Sequence, residues 1–129
     1  MNALQTLADQ LRREDTPISP HVVDPGEPPE LGLLAGGGEY ALVVEAVREG
    51  YLLHYGEPRL LAGHDPDLAL LAGDYLYALG LDRLAALGDD RAVAILADLI
   101  SECARRQAEG ATEAIPDLWR AAAERISRS

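Results

Sequence analysis

The chain contains no phenylalanine, one tryptophan and one cysteine in its 129 residues. A single cysteine, Cys103, excludes an internal disulfide; on the apolar stripe of an expected helix it is a small hydrophobe. No apolar run approaches the roughly 18 residues of a membrane span. No basic-then-apolar leader opens the chain, so no stable membrane insertion is expected and a cytoplasmic location is. Cations are scarce as well: 11 Lys and Arg stand against 22 Asp and Glu, a net charge of −11. An acidic chain repels phosphate backbones, which excludes nucleic acid as an expected partner and favours solubility. No stretch alternates with period two for long enough to suggest a sheet.

The apolar 48% of the chain is mostly Leu and Ala, strong helix formers with little strand preference. The expected fold class is all-α, a compact helical bundle. Residues 1–30 read as an N-terminal helix with a Pro-rich arm, and residues 31–129 as the bundle domain. Asn2 caps a first helix, Ala3 to about Glu14, with Leu4, Leu7, Ala8 and Leu11 on one side. Pro17, Pro20, Pro25, Pro28 and Pro29 forbid helix and favour an extended arm. Leu31 to Ala35 forms a short turn that Gly36-Gly37-Gly38 breaks.

A second helix is expected from Glu39 to about Tyr55, ended by Gly56 and Pro58. The third carries an Asp65 cap, Pro66 at its first position and Asp67 in its first turn, and reads to Leu87. It is apolar on nearly every side, which predicts that residues 66–87 form the central helix. A fourth follows Asp89 to about Gly110, and Pro116 opens a last short one. The short links at Gly88 and Gly110 predict antiparallel neighbours.

Few residues suggest chemistry by themselves. His54, His64 and Asp65 lack the spacing of a zinc site, and read as a helix end and a cap. Gly36-Gly37-Gly38 has neither the preceding strand nor the Lys-Ser/Thr ending of a phosphate loop. Cys103 has no adjacent base, so nucleophilic catalysis has no support. Asp74 lies inside the most apolar helix and must pair or open to a cavity, since a buried lone carboxylate is costly. Asp82, two turns on, reads as a solvated or Arg-paired acid. Tyr40, Tyr51, Tyr55, Tyr75 and Tyr77 all fall on the second and third helices, suiting pocket rims or interfaces as well as core edges.

Leu70 to Asp89, LLAGDYLYALGLDRLAALGD, is similar to the Leu-Ala-Gly-Asp-Tyr-Leu helix of the trans-polyprenyl diphosphate synthases. LADLISECARRQAEG, Leu96 to Gly110, resembles that family's next helix with its closing Glu-Gly. Upstream, EAVREGYLLHYGEPR lays without gaps on the family's Glu-x-x-His-x-x-x-Leu-x-His-Asp-Asp-x-x-Asp stretch. The resemblance, over about residues 45–110, implies a cut-down isoprenoid-synthase core. It also sets Tyr55, Gly56 and Arg59 where the metal-binding aspartates belong, and Arg48 where the first His belongs. Tyr, Gly and Arg offer Mg²⁺ no anionic oxygen. The family's Lys-Thr pair and Arg-Arg-Gly grip are missing, and its second aspartate-rich motif would fall beyond the last residue.

The expectation is therefore a non-catalytic, prenyltransferase-like protein without a cofactor or bound metal. It would act by association, as a small accessory or regulatory subunit of a polyprenyl diphosphate synthase or as a homodimeric module. In the family, subunits pair through helices of this region. The candidate interface or pocket residues are Tyr51, Tyr55, Leu71, Asp74, Tyr75, Ala78, Leu96 and Leu99. The alternative is a helical protein that binds an apolar small molecule or lipid between its helices.

Overall fold

A computed structural model describes residues 2–128. It is all-α, a compact bundle of helices. In chain order these are α1 (Ala3–Arg13), α2 (Glu30–Leu34), α3 (Gly38–Tyr55), α4 (Pro66–Ala86), α5 (Asp90–Glu109) and α6 (Ile115–Ser127).

Local signals set the helix ends. Asn2 Oδ1 accepts from Gln5 N at 2.9 Å and Asp65 Oδ1 from Leu68 N at 2.7 Å. Each satisfies a backbone donor that the first turn leaves without an intrahelical partner. Asp89 does the same for α5, accepting from Ala92 N at 2.9 Å. Gly36, Gly37 and Gly38 have φ of 106°, 75° and 60°, left-handed values that disfavour any side chain. They turn the chain from α2 into α3.

The proline-bearing segment is not a free arm. A 3-10 turn at Ser19–His21 interrupts it, Ile18 is buried, and Val22 makes a single antiparallel bridge to Leu61. Prolines stop an α-helix there without preventing the segment from packing.

The interior place belongs to α3 and not, as the sequence predicted, to the helix over residues 66–87. Eleven of the 18 residues of α3 are buried, against five of the 21 in α4. α3 packs against α1, α2, α4 and α5, whereas α4 leaves Leu70 and Leu71 each 57% exposed. An all-round apolar surface identified α4 as a helix that seeks cover, and this chain leaves part of that surface, Leu70 and Leu71 above all, exposed.

Two apolar clusters meet across α3. Leu4, Leu7 and Leu11 of α1 join Leu42, Leu53, Leu60 and Leu76 on one side. Val43, Val47, Leu84, Leu96, Leu99 and Trp119 fill the other. The α3–α4 crossing is very close, because glycines face it. A Cβ on Gly50 would lie 2.8 Å from Gly73 O, and one on Gly80 2.5 Å from Val47 Cγ2.

Candidate functional site

Two features could carry function: a charged cluster at the C-terminal half of α3, and the outward face of α4.

Glu45 and Glu49 are one turn apart on α3, and both are fully buried. Charges are buried only when paired and hydrogen-bonded. After Gly56 the chain doubles back and brings Arg59 between them. Its Nη1 donates to Glu45 Oε1 at 2.7 Å and its Nε to Glu49 Oε1 at 2.9 Å. Glu49 Oε2 also accepts from Arg59 N at 2.6 Å and Leu60 N at 2.8 Å. Glu45 Oε2 accepts from Gly32 N at 2.9 Å. The two carboxylates thus hold both the returning loop and α2. Burial pulls the Arg59 pKa down, but the Glu45 and Glu49 charges outweigh it and the net shift is upward.

Beside this clamp lies a cleft of about 220 Å³, lined in part by Glu27, Leu31, Arg48, Leu52, Trp119 and Arg120. The Arg48 guanidinium stacks 5.0 Å from the Trp119 ring centroid and 5.4 Å from that of Tyr51. Its Nη1 is buried with no hydrogen-bond partner. Burial, then the nearby Arg59 charge, lowers its pKa, and the ring faces partly offset that cost.

The sequence placed Tyr55, Gly56 and Arg59 at the positions of metal-binding aspartates. Tyr55 is 44% exposed, Gly56 ends α3, and Arg59 is an internal cation whose carboxylate partners are taken by hydrogen bonds. At these three positions no side chain offers Mg²⁺ an anionic oxygen, and the two buried acids beside Arg59 are already paired with it. Arg59 was flagged from the sequence, but Glu49 was missed. The i, i+4 spacing of Glu45 and Glu49 on an apolar helix was the available signal.

The eight candidate interface or pocket residues do not form one surface. Tyr51, Leu96 and Leu99 are buried in the core, where Tyr51 Oη accepts from Gln107 Nε2 at 2.7 Å. They are correspondingly closed to a partner. Tyr75 is half-buried, donating to Glu14 Oε2 at 2.7 Å. Leu71, Asp74 and Ala78 lie on the outward face of α4, and Tyr55 is exposed at the end of α3. Asp74 is not a buried carboxylate: its side chain is 76% exposed, 3.3 Å from His54 Nε2. The face also holds a shallow groove bordered by Tyr75, Ala78, Leu79, Leu81 and Asp82. No helix among the described residues is long and apolar enough to cross a membrane.

Heptaprenyl diphosphate synthase component 2 of Geobacillus stearothermophilus is 38% identical to this chain over 80 residues, 62% of this chain and 24% of the relative. This chain carries a segment homologous to a trans-polyprenyl synthase family member. The likeness is partial, since the matched segment spans about a quarter of that relative's length. No protein-family model matches, and no solved structure matches significantly.

Proposed function

We propose that this chain acts by association, as an accessory subunit beside a polyprenyl diphosphate synthase, and does not itself ionise an allylic diphosphate. The observation that carries the reading is the Arg59 clamp: the loop that would present metal ligands is folded inward and neutralised by Glu45 and Glu49. Ionising a diphosphate ester needs divalent metals to take up the leaving group's charge, and the clamp leaves no anionic oxygen free for that task. Two further observations support it. The similar protein is named as a synthase component, and α4 leaves large apolar side chains uncovered, as subunit contacts do.

The test is a reconstitution. The chain alone, supplied with Mg²⁺, an allylic diphosphate and isopentenyl diphosphate, should give no prenyl product. Mixed with a polyprenyl diphosphate synthase subunit from the same source, it should co-elute at the summed mass by light scattering. Turnover by the isolated chain would overturn the non-catalytic part, and failure to co-elute with such a subunit would overturn the association.

A further inference from the structure

The outward face of α4 is patterned, and its pattern says something about what covers it. Asp67, Leu70, Leu71, Asp74, Ala78, Asp82 and Ala85 are all exposed and recur at three- and four-residue steps, so they form one stripe along the helix. The acids divide it: Asp67, Asp74 and Asp82 are seven and eight residues apart, about two turns each. Leucines and alanines lie between them. Among the described residues, Asp67 and Asp82 enter no ion pair, and Asp74 meets only His54 at 3.3 Å.

A second copy of this chain is a poor occupant. In a parallel two-fold pairing each Asp meets its own counterpart. In an antiparallel pairing centred on the Leu70-Leu71 pair, Asp67 of one helix meets Asp74 of the other. Centring on Asp74 sets that residue against itself, and centring on Ala78 sets Asp74 against Asp82. These registers juxtapose carboxylates in a desolvating contact, where like charges repel most strongly; antiparallel registers between them set Asp74 against Leu70, Leu71 or Ala78 and desolvate it without a partner. The chain's net charge of −11 adds long-range repulsion between copies.

We infer, building on the association reading, that this face receives a helix of a different chain. That helix would set apolar side chains against Leu70, Leu71 and Ala78, and cationic ones opposite Asp74 and Asp82. The apolar stripe supplies affinity, and the acids select against self-pairing and for a basic partner.

A charge-swap experiment tests this with the chain itself. Asp74→Lys and Asp82→Lys are introduced together at two exposed positions, with helicity checked by circular dichroism. Wild type and double variant should each run at the mass of one chain by light scattering. Their equimolar mixture should run at about twice that mass, and should fall back to one when Leu71→Glu is added to either partner. Wild type that dimerises alone, and is returned to a single chain by Leu71→Glu, would overturn the inference; so would a mixture that stays at the single-chain mass. The association reading fails separately. If the chain binds a synthase subunit but Leu70→Asp/Leu71→Asp binds it equally well, association stands and the α4 face is the wrong surface.

Discussion

α3 and α4 run side by side, and each contradicts the simplest rule for its position. α3 occupies the interior yet buries two carboxylates, Glu45 and Glu49, completely. α4 carries the longer run of leucines yet leaves Leu70 and Leu71 in solvent. The difference lies in what each helix was given as a neighbour. α3 has a returning loop that delivers Arg59 to its acids, and helices on several sides. α4 is covered by α3 and parts of α1 and α5, and faces water elsewhere. A helix's apolar content states how much cover it needs, not how much its own chain provides.

The sharpest way to break this comparison is to remove the cation. Arg59→Met leaves two buried carboxylates without a counter-charge, and breaking such a pair costs about 3–5 kcal/mol. Urea denaturation should show that loss as a lower midpoint. A loss under about 1 kcal/mol, the range of surface ion pairs, would mean that the clamp is open to water. Adding Glu45→Gln and Glu49→Gln to Arg59→Met should recover part of the loss. The amides keep carbonyl acceptors for Gly32, Arg59 and Leu60 N–H groups while removing the stranded charge.

The α3–α4 contact itself comes next. Gly50→Ala places a methyl 2.8 Å from the Gly73 carbonyl oxygen, a backbone atom that cannot move without shifting α4. Overpacking of this kind costs about 1–3 kcal/mol, outweighing the roughly 1 kcal/mol that Ala gains over Gly in helix propensity. A stabilised Gly50→Ala would show that the two helices are not held at this distance.

These two sites also mark how far the sequence could be read. Helix ends were legible because caps are local: Asn2, Asp65, Gly56 and Gly110 act within a turn of where they stand. The all-α class followed from Leu and Ala content. The clamp was not legible, because it depends on the direction the chain takes after Gly56, and no local propensity specifies that Arg59 returns across ten residues to Glu49. The place of α4 was misread for a related reason. Hydrophobic patterning reports demand for burial, and assigning it to the core assumed that this chain alone meets the demand. Tyr51, Leu96 and Leu99 were expected at an interface or pocket, yet they belong to apolar stripes that this chain buries itself.

A smaller effect probes how α4 is tied to α1. Burial and the hydrogen bond to Glu14 push the Tyr75 phenol up to about 12. The phenol ionises near 10 in an unfolded chain. A raised folded pKa contributes stability that is complete below pH 10 and is lost as pH rises from 10 to about 12. Phenolate absorbance should therefore show Tyr75 titrating late, and Tyr77, desolvated against α3, later still. Tyr75→Phe should remove one late-titrating phenol and flatten the alkaline loss of stability. An unchanged curve would mean that the Tyr75 phenol is neither desolvated nor bonded to Glu14 in solution.

The smallest expected effect discriminates most sharply between the two helices. Leu71→Asp changes a residue that is 57% exposed, so in the isolated chain it should alter stability by no more than about 0.5 kcal/mol. Leu76, one and a half turns along the same helix, is fully buried, and Leu76→Ala should cost about 2–5 kcal/mol. A chain that needed its leucines only for its own fold would lose stability at both positions. Near-silence at Leu71 beside a large loss at Leu76 would locate the use of Leu71 outside this chain. If Leu71→Asp instead costs more than about 1 kcal/mol, the outward face of α4 is covered within the fold, and no surface is left there for a partner to take.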